Sequence, residues 1–308
     1  MPDPSATHRL SNGKAELIVS QATGRVVRFG PPGGPNLLWE NPQARAVAGP
    51  MGGWLNWGGD KVWLWPQDDW GKWCQGNNGR PPGDPASESH QVEVAGLRLR
   101  MTSPVVPGYG VRVVREIELD AHGCGASFVN RVQQVGAASA SRPIAPWTVT
   151  QVPAPRQVLA RLLPDAMPPG YAPFPGCSWD QAQASGRIAT MTRPGDRSVK
   201  MGLDADALAA TVADLLFIVS TPAAGNDAGP FEPFRRAHVY CDPDQSAFKP
   251  ASQAPYTELE FTAPLKTLTV GQSASLKIRW DFVLLRKDGP SAAEVLTRAA
   301  APAGAPTR

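Results

Sequence analysis

Apolar and polar residues alternate in many short runs along this chain. Val111, Val113, Arg115, Ile117 and Leu119 share one parity in residues 111–119, and Val92, Val94, Leu97 and Leu99 stand among polar neighbours in residues 91–101. A strand repeats every two residues, so these runs predict half-buried antiparallel strands. Residues 15–20 and 25–29 read as a hairpin, closed by Gln21-Ala22-Thr23-Gly24 with glycine where a positive φ is easily reached. Further strands are expected at 127–135, 147–152, 187–192, 199–203, 215–220, 238–241, 256–261 and 275–285. Helix is expected only at 205–215 and 292–299, the second of which caps the sheet.

Strands spaced this densely, with glycine, proline and aspartate between them, predict a sandwich or barrel rather than alternating β and α units. The 30 glycines and 33 prolines leave long helices little room. No internal repeat or linker divides the chain, which predicts one all-β domain of two stacked antiparallel sheets over residues 7–285. Residues 286–308 are expected to form a tail, partly helical and then disordered, because Ala300-Ala301-Pro302-Ala303-Gly304-Ala305-Pro306-Thr307-Arg308 has nothing to bury.

Hydrophobic residues make up 42% of the 308-residue chain and charged residues 19%, enough for a full core and too little charge for disorder. The net charge of +3 comes without a basic stripe, which argues against nucleic acid as a partner, and no membrane-length apolar run is present. Oligomeric state is not legible. The first eight residues lack the charged and apolar regions of a secretory signal, which predicts a cytoplasmic protein, or a periplasmic one if a leader has been removed. Cys74, Cys124, Cys177 and Cys241 lie far apart and form no C-x-x-C pair, so free thiols are expected rather than a zinc ribbon or redox motif. None of His8, His90, His122 and His238 has a metal-ligand spacing, so neither a metal nor a cofactor is expected.

Six of the ten tryptophans fall between Trp54 and Trp73. The run Asn56-Trp57-Gly58-Gly59-Asp60-Lys61-Val62-Trp63-Leu64-Trp65-Pro66-Gln67 mixes indoles with amide, acid and ammonium groups. Sugars present C–H faces to aromatic rings and hydroxyl rims to polar groups, so this mixture suits them. The competing reading is a core plug beneath a long loop, for Trp54 and Trp70 above all, with Asp60 and Lys61 as a solvated ion pair.

Tyr256-Thr257-Glu258-Leu259-Glu260-Phe261 alternates strictly, which puts Glu258 and Glu260 side by side on one face. Repulsion between two such acids raises the proton affinity of at least one, and a cation such as Lys61 or Arg112 restores the ionised form. That is how a general base is prepared. An ordinary solvent-facing strand has the same pattern. His238, within Ala237-His238-Val239-Tyr240, is the histidine placed nearest a site, with a structurally satisfied imidazole as the alternative.

A family resemblance is carried by Leu10-Ser11-Asn12-Gly13 to Gly24-Arg25-Val26-Val27, by Asn56-Trp57-Gly58-Gly59-Asp60-Lys61-Val62-Trp63 with Pro66-Gln67 and Trp70, by Pro146-Trp147-Thr148-Val149-Thr150-Gln151, and by Glu258-Leu259-Glu260 with Pro264-Leu265, Leu268, Gly271 and Trp280. Together they resemble the bacterial DUF4380 family, itself similar to galactose mutarotases and other aldose 1-epimerases. The resemblance implies a β-supersandwich of antiparallel sheets with a sugar site on one sheet. It implies Glu258 as the base that deprotonates the anomeric hydroxyl, with Lys61 or His238 as acid or electrostatic partner. Asn56, Trp57, Asp60, Trp63, Gln67, Trp147, Gln151 and Glu260 are the expected sugar-binding residues, with Asp60, Lys61, Trp63 and Glu258 meeting in one site. The family's catalytic histidine has no counterpart, because the matching segment reads Trp147-Thr148-Val149-Thr150-Gln151. Three functions follow: an isomerase at the anomeric centre, a carbohydrate-binding protein without turnover, or a glycan-cleaving enzyme pairing Asp60 or Asp69 with Glu258.

Overall fold

The computed structural model describes residues 6–41, 56–70, 90–106, 108–136, 142–222, 231–244 and 254–299. Among these, twenty strands form two ten-stranded antiparallel sheets. The first sheet runs in the order β1 (Thr7–Ser11), β2 (Glu16–Ser20), β3 (Arg25–Gly30), β4 (Asp60–Trp65), β9 (Pro143–Pro153), β18 (Tyr256–Thr262), β17 (Ala237–Cys241), β14 (Val199–Leu203) and β11 (Tyr171–Pro173), and β19 (Lys266–Thr267) pairs with β9. The second runs β12 (Ala182–Ser185), β13 (Ile188–Thr192), β10 (Gln157–Leu162), β15 (Ala205–Val212), β16 (Leu215–Ser220), β20 (Ser273–Leu284), β8 (Ala126–Gln134), β7 (Val111–Leu119), β6 (Arg98–Thr102) and β5 (Gln91–Ala95).

The main core lies between the sheets. Val26, Phe29, Val152, Met201, Val239, Leu259 and Phe261 of the first sheet pack with Ile117, Phe128, Leu208, Phe217 and Trp280 of the second. Rings of Phe29, Phe217 and Trp280 meet at centroid distances of 5.2 to 5.8 Å. Arg115 enters this apolar stripe because Asp60 and Asn130 meet it there: the guanidinium donates to the Asp60 carboxylate and, at 3.0 Å, to Asn130 Oδ1. A charge that is removed from water persists only with such partners.

The alternating runs at 111–119, 199–203 and 215–220 form strands over those same residues, and most others match within a few residues. Residues 91–101 form two strands, β5 and β6, that turn at Gly96 with φ 60°. The helix expected at 205–215 is instead β15 with the start of β16. Alanine favours helix locally, but pairing with β10 and β16 overrides that preference. The small side chains of Ala207 and Ala209 also leave room for helix α1 (Ala292–Arg298), whose Leu296 is buried against them. Helix α1 starts with a capping box between Ser291 and Glu294. Cys124, Cys177 and Cys241 are free thiols, whereas Cys74 lies outside the described residues, as do Trp54, Trp73 and the tail from residue 300.

Candidate functional site

Five neighbouring strands of the first sheet, β4, β9, β18, β17 and β14, carry polar and aromatic side chains on the face turned away from the second sheet. Register fixes who meets whom: Trp63 lies opposite Trp147, Gln151 opposite Glu258, Glu258 opposite Tyr240, Glu260 opposite His238, and Lys200 opposite Tyr240. Residues of the other parity, such as Val62, Val152, Val239 and Leu259, fill the interior. The outer-face residues therefore include Lys61, Trp63, Trp65, Trp147, Gln151, Lys200, His238, Tyr240, Glu258 and Glu260.

Glu260 is the fixed anion of the group. Its Oε2 accepts hydrogen bonds from Trp147 Nε1 at 2.8 Å, Lys200 Nζ at 2.9 Å and His238 Nδ1 at 3.1 Å. Burial alone would raise this carboxyl, but the Lys200 ammonium and the hydrogen bonds from His238 and Lys200 outweigh it and hold it down to about 2. An ionised carboxylate only accepts, so the proton of His238 sits on Nδ1. Burial pushes the imidazole down to about 4 against the raising influence of Glu260, which makes the contact at neutral pH a hydrogen bond to a neutral ring rather than an ion pair.

Glu258 is held the other way. Burial raises its carboxyl and the neighbouring Glu260 charge adds to the rise, while the Lys61 ammonium opposes both. Its Oε1 accepts from Gln151 Nε2 at 2.9 Å and stands 3.5 Å from Lys61 Nζ. Lys61 in turn lies 4.5 Å above the Trp63 ring. Two carboxylates on one strand are thus driven apart in acidity, one committed as an anion and one poised to exchange a proton.

Tryptophans wall this polar strip. Trp63 meets Trp70 and Trp147 edge to face at 5.3 and 5.5 Å, and Trp65 lies 5.4 Å from Trp147 and 5.1 Å from His238. Lys200 Nζ sits 4.7 Å from the Trp147 ring. Four buried polar atoms in this group, Trp63 Nε1, Gln151 Oε1, His238 Nε2 and Glu260 Oε1, have no hydrogen-bond partner among the described residues. Natural interiors leave few such atoms, and their clustering beside aromatic rings makes this group the candidate binding site among the described residues.

The structure thus brings together Lys61, Trp63, Trp147, Gln151, His238, Glu258 and Glu260. Asp60 is a correction: adjacent residues of a strand point to opposite faces, and its carboxylate lies inside, bonded to Arg115 and to Thr150 Oγ1 at 2.8 Å. Gln67 is exposed on a short 3-10 turn, Gln67–Asp69, and does not join the group. Asn56 is buried and hydrogen-bonded to Tyr256, and Trp57 is half-buried. Arg112 is exposed, leaving Lys61 as the cation at Glu258. Lys200 was not legible as a site residue, although its place between the interior residues Val199 and Met201 put it on the outer face. Among the described residues no three of His, Cys, Asp and Glu converge as a metal set.

One consequence of these ionisations is measurable. Folding excludes the protonated imidazole of His238 and retains the ionised carboxyl of Glu260, so at these two groups the folded state binds fewer protons than the unfolded one, while the raised carboxyl of Glu258 works the other way. His238 stabilisation is complete above its unfolded value of about 6.5 and is lost as pH falls towards 4; Glu260 extends the loss from about 4.3 towards 2. In Glu258→Gln, which removes that opposing proton uptake, urea midpoints are expected to decline below about pH 6.5. A flat profile between pH 6.5 and 4 would contradict the assigned state of His238.

Neither a protein family model nor a curated protein sequence matches the chain. Solved structures do. A galactose mutarotase-like protein from Lactobacillus casei ATCC 334 has a TM-score of 0.56 at 8% identity, over 90% of this chain and 100% of that one. A galactose mutarotase related enzyme from Lactobacillus acidophilus has a TM-score of 0.55 at 8% identity, over 93% and 100%. A presumed aldose 1-epimerase from Escherichia coli K12 has a TM-score of 0.55 at 15% identity, over 91% and 99%. The chain therefore has the galactose mutarotase-like β-sandwich fold.

Proposed function

We propose that this protein handles carbohydrate on the outer face of its first sheet and acts there as an aldose 1-epimerase-like isomerase. The observation that carries the reading is the split carboxylate pair beside the tryptophan wall: Glu260 bound by three donors, Glu258 raised beside Lys61. Glu258, as carboxylate, takes the proton of the anomeric hydroxyl while the bond from C1 to the ring oxygen breaks. The ring oxygen takes a proton from the Lys61 ammonium. Rotation about C1–C2 presents the other face of the aldehyde, and the reverse transfers restore both groups. Lys61 suits the acid role better than His238, whose single proton is committed to Glu260 and whose Nε2 can only accept. Trp63 and Trp147 form the buried wall beside these groups, at 5% and 1% exposure. Membership in DUF4380 belongs to the same reading, carried by Trp57-Gly58-Gly59-Asp60-Lys61-Val62-Trp63.

A second reading, sugar binding without turnover, is favoured by Gln151, which stands where the resemblance expects a histidine and donates to Glu258. Glycan cleavage with Asp60 as partner acid has lost its support, since Asp60 faces the interior, and the side chain of the alternative, Asp69, lies outside what the structure describes. Polarimetry with a panel of aldoses, run beside tryptophan fluorescence titrations, separates the isomerase from the binder. Anomerisation above the buffer rate supports the isomerase; a fluorescence response without acceleration supports the binder. Silence in both removes the carbohydrate reading.

A further inference from the structure

The chain between β16 and β17 delivers a third cation to the edge of this cluster. Phe234 adopts a left-handed backbone, φ 59°, and its N–H donates to Asp204 Oδ1 at 2.9 Å. Gly202 of β14 admits the Phe234 carbonyl, since a Cβ there would lie 2.1 Å from that oxygen. A strained residue held from two sides is a costly device that persists when it places something. Here the following residue, Arg235, stacks its guanidinium 3.9 Å over the Phe174 ring. The same ring meets His238 edge-on at 4.9 Å and lies 5.2 Å from Lys200 Nζ.

Lys61 and Lys200 each face a carboxylate of β18. Arg235 differs, because its ion-pair partner, Glu232, stands 4.0 Å away with a side chain 75% exposed. Such a pair contributes little in water. A guanidinium laid flat on an aromatic ring keeps its N–H edge for a planar or tetrahedral oxyanion, which it binds bidentately.

We propose that Arg235 reads an anionic substituent, a carboxylate or a phosphate monoester, on the sugar held by the Glu258–Glu260 face. This rests on the carbohydrate reading above and names the substrate class within it. The test is isothermal titration of the full chain with a neutral aldose, the matching uronic acid, the matching 6-phosphate and inorganic phosphate. At least one acidic sugar is expected to bind about tenfold or more tighter than the neutral parent, with the advantage shrinking as salt rises. The uronate and phosphate arms tell which anion is read. Arg235→Leu is expected to collapse the acidic-to-neutral ratio and Arg235→Lys to restore part of it. Equal affinity for neutral and acidic sugars, a ratio unchanged in Arg235→Leu, or inorganic phosphate bound as tightly as the sugar phosphate overturns the inference while leaving carbohydrate binding in place. No binding of any sugar overturns both.

Discussion

Glu258→Gln is expected to slow aldose anomerisation by about a hundredfold or more, the usual contribution of a positioned general base. Glutamine keeps the shape of the side chain and an oxygen to accept from Gln151 Nε2, but it removes the charge beside the buried Lys61 ammonium, so some loss of stability is expected together with the loss of proton transfer. The raised proton affinity of Glu258 offsets part of that loss, since burial already disfavours its charge. Polarimetry and NMR anomer-exchange rates measured on the same preparation read the effect. An unchanged rate in a folded variant would remove Glu258 from the mechanism and leave the binding reading in its place.

Glu260→Gln has the larger effect on stability. One oxygen of Glu260 collects donors from Trp147, Lys200 and His238, and its side chain is fully buried. Removing the charge leaves the mostly buried Lys200 ammonium without its counterion, and breaking a buried pair from one side costs about 3 kcal/mol or more. Urea denaturation should show that loss. Adding Lys200→Met to Glu260→Gln is expected to recover part of it, because the stranded cation goes too; the double-mutant cycle measures the coupling. Additive losses would mean that the pair is not what holds this part of the sheet.

Much of the fold was legible because strands whose two faces differ in polarity alternate visibly. Residues 111–119 and 256–261 declared their parity, and the parity held: Leu259 and Phe261 are in the core while Glu258 and Glu260 share the other face. Two kinds of segment escaped. The strand Asp60–Trp65 carries Val62 and Leu64 on one face and Trp63 and Trp65 on the other, so it shows no apolar-polar alternation and reads as loop beside its glycines. The alanine-rich β15 carries a local helix preference that only its partners β10 and β16 reverse.

The site was legible by half for a related reason. Glu258 and Glu260 could be put side by side from one hexapeptide, whereas what distinguishes them is long-range. Gln151 and Lys61 reach Glu258 from β9 and β4, and Lys200, Trp147 and His238 reach Glu260 from β14, β9 and β17. Asp60 shows the converse. Its neighbour Lys61 suggested a shared site, but period two sends the pair to opposite faces, and the charged Arg115 within an apolar stripe was the trace of the interior partner.

The central claim is that sugar is held on the outer face of the first sheet, and the indole N–H resonances of ¹⁵N-labelled protein test it most directly. Trp63 and Trp147 lie in the proposed site, whereas Trp280 is buried between the sheets and Trp179 donates to the Thr192 carbonyl beside the second sheet. Titration with sugars, assigned through single Trp→Phe variants, is expected to shift the Trp63 and Trp147 signals while Trp179 and Trp280 stay in place. Shifts confined to Trp179 and Trp280, or no indole shift with any neutral or acidic sugar, would contradict the account.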